Sequence, residues 1–95
     1  MSEKTVSLEQ KINIAAYYIS QRNFPYDKLC WMLSERQLFV ENNKKYAPED
    51  FVRKRATDVY FSSTPYDILC WLIAEIDILL GKDAIEKRTK LILKR

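Results

Sequence analysis

The sequence predicts an all-α fold: a four-helix arrangement built from two related helical hairpins, with a short fifth helix at the C-terminal end. Three observations lead there. A single Gly and three Pro in 95 residues leave few tight hairpins for a β-meander or barrel. Apolar residues recur three and four positions apart, the spacing of one helix face. Residues 25–35 read PYDKLCWMLSE and return at 65–75 as PYDILCWLIAE, identical at seven of eleven positions with an offset of forty.

Each element has its own justification. Leu8, Ile12, Ala15, Ala16 and Ile19 give the first helix one apolar face, and Ser7 with Gln10 supplies a capping box at its start. The second helix, 25–41, opens on Pro25, whose missing N–H costs nothing in a first turn. Its stripe runs through Leu29, Met32 and Leu33 to Phe39 and Val40 before Asn42-Asn43-Lys44-Lys45 interrupts it. Pro48, Glu49 and Asp50 open a third helix with acids at its positive end; Phe51, Val52, Ala56, Val59 and Tyr60 are its expected buried face. Thr64-Pro65-Tyr66-Asp67 reads as N-cap, N1, N2 and N3 of a fourth helix, ended by Gly81. A fifth helix is expected from Asp83 to about Leu93.

At this length the chain is one domain, 1–95, able to bury roughly 60–65 % of its unfolded surface. Within it lie repeat one at about 7–41, repeat two at about 48–80 and a basic segment at 82–95. The short breaks make each hairpin antiparallel or steeply crossed, and a pseudo-twofold axis is expected near the two repeated helices.

Charge separates the body from its end. Ten Lys/Arg against eleven Asp/Glu leave residues 1–81 at −1, whereas six against two put residues 82–95 at +4. The polar start, Met-Ser-Glu-Lys-Thr, has no apolar signal-peptide core. The longest apolar stretch, Ile68 to Leu80, spans thirteen residues with Glu75 and Asp77 inside it, too short and too charged to cross a bilayer. These features predict a cytoplasmic chain with no membrane contact.

The residue inventory argues against chemistry. Without His the chain lacks the commonest catalytic base and metal ligand. There is no nucleophile elbow, no Gly-rich phosphate loop and no metal-ligand spacing. No catalytic residue, cofactor or metal is therefore expected. Asp27, Glu35, Asp67 and Glu75 could in principle form a bundle metal site, but the usual dimetal site also needs His. Asp27 and Asp67 read instead as first-turn caps, and the two Glu as partners of a backbone donor, an indole N–H or an Arg. Trp31 and Trp71 read as anchors with the N–H directed to a polar partner. Cys30 and Cys70 read as reduced, inert core thiols.

The two copies differ most usefully at Lys28/Ile68 and Arg36/Ile76. The fourth helix thereby gains a second apolar stripe, Ile68, Leu72, Ile76 and Leu79, that the second lacks. A helix apolar nearly all round must be covered on more than one side. The cover is either the C-terminal segment through Ala84, Ile85, Leu91 and Ile92, or another protein chain, with a homodimer the simplest form. A competing reading assigns nucleic-acid binding to Arg53, Lys54, Arg55, Lys87, Arg88, Lys90, Lys94 and Arg95, because Lys/Arg neutralisation of phosphates drives sequence-independent affinity.

The pattern of Ala16-Tyr17, Pro25, Trp31, Glu35 and Leu38, echoed by Arg55-Ala56, Trp71, Ala74-Glu75 and Leu79, resembles a family of small bacterial helical domains of unknown function. The chain departs from that pattern in lacking its early Trp and the Gly of its break. The resemblance implies helix-hairpin packing and no particular activity. The expected function is accordingly a non-enzymatic helical module that presents an apolar face to a protein partner or to itself.

Overall fold

The computed structural model describes residues 7–93, with 82–93 described in backbone only. Four helices follow one another: α1 Leu8–Gln21, α2 Tyr26–Glu41, α3 Glu49–Phe61 and α4 Tyr66–Leu93. Among the described residues there is no strand.

The helix starts follow from capping chemistry. The Ser7 hydroxyl accepts the Gln10 N–H at 3.1 Å while Gln10 Oε1 accepts the Ser7 N–H at 3.0 Å, so the expected capping box is complete. Pro25 lies one position further out than its sequence reading: with ψ 154° it is the N-cap of α2, and the helix begins at Tyr26. Pro65 behaves alike, its carbonyl accepting Leu69 N–H at 3.0 Å as Pro25 accepts Leu29 N–H at 3.1 Å. Thr64 therefore sits outside the cap. The fixed φ of proline is pre-organised for either position, so the sequence signal marks the boundary to within one residue. Asp27 and Asp67 do cap first-turn donors, each accepting the next residue's N–H (Lys28, Ile68) at 3.0 Å.

The ends of α1 and α3 turn without glycine. Asn23 and Ser63 take φ of 55° and 61°. Asn accepts the left-handed region readily; Ser63 is a less usual occupant, and its N–H donates to Tyr60 O at 3.3 Å. Gly81 breaks α4 at φ 83° and ψ 166°, a combination nearly reserved for glycine.

The packing differs from the hairpins expected. Among the described residues, α1 packs on α4, α3 packs on α2, and α2 packs on α4; α1 and α2 do not pack together, nor do α3 and α4. Each leading helix thus crosses to the second helix of the other unit. The periodicity shows which face a helix buries but not which helix covers it, and the short connections allow either arrangement.

The core lies between α2 and α4. Leu29, Cys30 and Leu33 meet Leu69, Cys70 and Ile73, and the partly buried Ala16, Ile19, Ala56 and Val59 close over them from α1 and α3. Position by position, burial repeats at the offset of forty: Ile12 with Val52, Leu29 with Leu69, Cys30 with Cys70, Leu33 with Ile73, Ser34 with Ala74. Hydrogen bonds repeat too. Tyr26 Oη donates to Thr64 O and Tyr66 Oη donates to Phe24 O, both at 2.6 Å. Two expectations for α3 fail, since Phe51 and Tyr60 are exposed. With α2 as its one neighbour among the described residues, α3 buries a narrow stripe (Val52, Ala56, Val59) and leaves its flanks open.

Candidate interaction surface

The expected partner stripe on α4 divides in two. Leu72 and Ile76 pack against the core and are half-buried, so they serve the fold. Ile68 and Leu79, at the ends of the stripe, keep 43 % and 63 % of their surface. Arg36, which stands where α4 has Ile76, explains the covering: its Nε donates to Asp77 Oδ1 at 2.7 Å and its Nη1 to Met32 O at 3.0 Å, fastening α2 across α4. The alternative cover, Ala84, Ile85, Leu91 and Ile92, lies outside the residues whose side chains are described.

A groove elsewhere brings together aromatic residues that the sequence reading had placed in the core or left unassigned. Between α2 and α3 it encloses about 290 Å³, floored by Cys30 and Ala56 and walled by Trp31, Tyr60 and Phe61. Asp27, Arg53 and Thr57 add the polar groups of the lining. Phe61 is 76 % exposed, and its ring meets Tyr60 edge-on at 5.5 Å; Tyr60 in turn meets Tyr26 at 5.4 Å. Trp31 and Trp71 are both half-buried. They differ in what the indole meets: Trp71 Nε1 donates to Asn13 Oδ1 on α1 at 2.9 Å, the polar partner expected of it. Forty positions on from Asn13 stands Arg53, whose guanidinium carbon lies 6.0 Å from the centre of the Trp31 ring. One indole is tied by a hydrogen bond and the other faces a cation.

The missed residues had a signal in the sequence. Tyr60 and Phe61 correspond to Ser20 and Gln21 at the offset of forty. Polar residues suffice at the first pair, so the aromatics at the second are not demanded by the fold.

Of the basic cluster, Arg53 and Arg55 carry ion pairs among the described residues. Arg55 Nη2 donates to Glu41 Oε1 at 2.9 Å, and its Nη1 donates to Glu41 Oε2 at 3.0 Å and to Gln37 Oε1 at 3.1 Å. That fork holds the Glu41 carboxyl below its ordinary range, and Glu41 holds the guanidinium above its own. Arg53 Nη2 donates to Glu49 Oε2 at 2.9 Å on the surface of α3. Lys54 is exposed. The side chains of Lys87, Arg88, Lys90, Lys94 and Arg95 lie outside the described residues. Arg55 thus commits three N–H donors to bridging α3 to α2, which leaves fewer of them for a phosphate.

Burial pushes the Cys30 and Cys70 thiols up, with the Asp27 and Asp67 carboxylates adding to it, so neither is a ready nucleophile at neutral pH. Both cysteines are free and buried. Desolvation raises Tyr26 as well, with Cys30 and Tyr60 contributing. Among the described residues no three His, Cys, Asp or Glu side chains gather as a metal site would require, and no helix is long and apolar enough to cross a membrane. Compared with family models, with curated proteins and with solved structures, the chain gives no match.

Proposed function

We propose that this chain is a non-enzymatic helical protein-interaction module of the cytoplasm, whose binding surface is the α2–α3 groove and its aromatic rim. The observation that carries the reading is Phe61. A large aromatic side chain keeps 76 % of its surface exposed beside Tyr60 and Trp31, where the matching position of the first unit has Gln21. Exposed aromatics around a concave site are what interface cores are made of.

The groove also suggests what enters it. At about 290 Å³ it has room for one or two side chains and not for a folded element. Asp27 and Arg53 put an acceptor and a donor in the same lining, which suits a peptide backbone carrying both. The partner is therefore a protein that seats one aromatic or branched apolar side chain between Trp31 and Phe61. Ile68 and Leu79 extend the apolar surface on α4. Two buried free thiols suit a reducing compartment.

A random peptide library displayed on phage tests the reading. Selected peptides should share an aromatic or branched anchor and quench or shift Trp31 emission in a chain carrying Trp71→Phe. Phe61→Lys should weaken them at least tenfold, about 1.4 kcal/mol, while the thermal midpoint holds. Peptides that bind Phe61→Lys as well as the parent chain would remove the groove from the account. Ile68→Lys with Leu79→Lys, rather than any change at the packed Ile76, reports on the α4 surface.

A further inference from the structure

We propose that this protein also assembles with a second copy of itself by exchanging halves. Two chains open at the linker of residues 42–48, and residues 7–41 of each dock on residues 49–93 of the other.

The packing carries this inference. Among the described residues every helix pair that packs joins one half to the other: α1 on α4, α3 on α2, α2 on α4. The ties between helices obey the same division. Arg36–Asp77, Arg55–Glu41, Trp71–Asn13 and the two tyrosine bonds to Thr64 and Phe24 all run from one half to the other. A half alone has no partner for its apolar face. The surface it needs is present, unchanged, on any second copy.

The linker is where opening is easiest. Asn43 and Lys44 both take positive φ, 55° and 63°, in consecutive positions. Lysine there is disfavoured by its β-carbon, and the bonds that shape the turn are short-range: Lys44 N–H to Phe39 O at 2.8 Å, and Lys45 N–H to Asn42 O at 3.1 Å. In the open form the two residues leave the left-handed region and the strain ends. The seven linker residues span up to about 25 Å when extended, enough to separate two lobes.

Tethering decides the conditions. A short flexible linker presents each half to its own mate at an effective concentration in the millimolar range. Exchange therefore competes at protein concentrations approaching that, or during refolding, and not in a dilute native sample. It uses the buried core and not the α2–α3 groove, so it stands or falls apart from the function proposed above.

Complementation between two defective full-length chains is the test. Leu29→Asp places a carboxylate in the core from the first half, and Leu69→Asp does so from the second; both leucines are fully buried. Each variant alone should lose its helical signal. Refolded together near 0.5 mM, they should form a two-chain species in which the sound first half of one pairs with the sound second half of the other. It should recover about half of the parent helical signal per chain. A mixture no more helical than the average of its components overturns the proposal.

A second measurement keeps the core intact. After refolding of the parent background near 0.5 mM, Asn43→Ala with Lys44→Ala should raise the two-chain fraction measured by light scattering. Asn43→Gly with Lys44→Gly should lower it. Equal fractions overturn it, as does a dimer that Phe61→Lys abolishes and the linker variants leave unmoved.

Discussion

Leu29 and Ser34 are both fully buried in α2, yet the structure assigns them very different weights. Leu29→Ala leaves a cavity in a core where α2 meets α4 and should cost about 2–5 kcal/mol in urea unfolding. Ser34→Ala should change stability by less than about 0.5 kcal/mol. Its hydroxyl bonds only the Cys30 carbonyl of the preceding turn, and the equivalent site forty residues on is Ala74, equally buried. The thiols of Cys30 and Cys70 give a pH dependence whose sign is fixed. Because the folded state holds their protons more tightly than the unfolded chain does, unfolding releases protons once the pH enters the ordinary thiol range. Stability should fall as the pH rises through that range and beyond. The double variant Cys30→Ala, Cys70→Ala should flatten the alkaline limb of a plot of unfolding free energy against pH.

At the scale of elements, Tyr26 and Tyr66 each reach from the start of one central helix to a carbonyl just before the other. Tyr26→Phe and Tyr66→Phe should each cost about 0.5–1.5 kcal/mol, and by similar amounts, because each removes one hydroxyl-to-carbonyl bond of 2.6 Å and leaves the ring contacts, Tyr26 with Tyr60 included, in place. Guanidinium titration of the two variants side by side checks both the size and the equality. The helices themselves were legible beforehand. Ser7 with Gln10, the two prolines before Tyr26 and Tyr66, and the three–four spacing of Leu29, Met32 and Leu33 mark their starts and buried sides. Their partners were not legible, since Ile12 and Ala16 advertise an apolar stripe without saying whether α2 or α4 will cover it. The same gap explains Phe51 and Tyr60: an apolar residue near a helix stripe is buried only if a neighbour is wide enough to reach it. The groove followed from that narrowness, and Tyr60 and Phe61 were visible only as mismatches to Ser20 and Gln21.

For the whole molecule, the interlocked packing predicts unfolding as one unit. Trp31 and Trp71 lie in opposite halves, so Trp31→Phe and Trp71→Phe yield two chains, each with one reporter. Within each, the urea midpoint seen by fluorescence should coincide with that seen by circular dichroism, since neither half has a core to retain when the other is lost. A half that melted early would contradict the packing described. The pairing of the repeated segments in one core was foreshadowed by the seven identities between 25–35 and 65–75, a signal strong enough to see without coordinates.

The loop at Asn42–Lys45 connects two halves between which every packed helix pair among the described residues runs. A protease that cut after Lys44 or Lys45 would sever the covalent thread and leave that packing untouched. The nicked product should migrate as a single particle at high concentration and come apart on dilution, its melting temperature now rising with the amount of protein present. The intact chain, kept dilute enough that halves do not exchange, should melt at one temperature whatever its concentration.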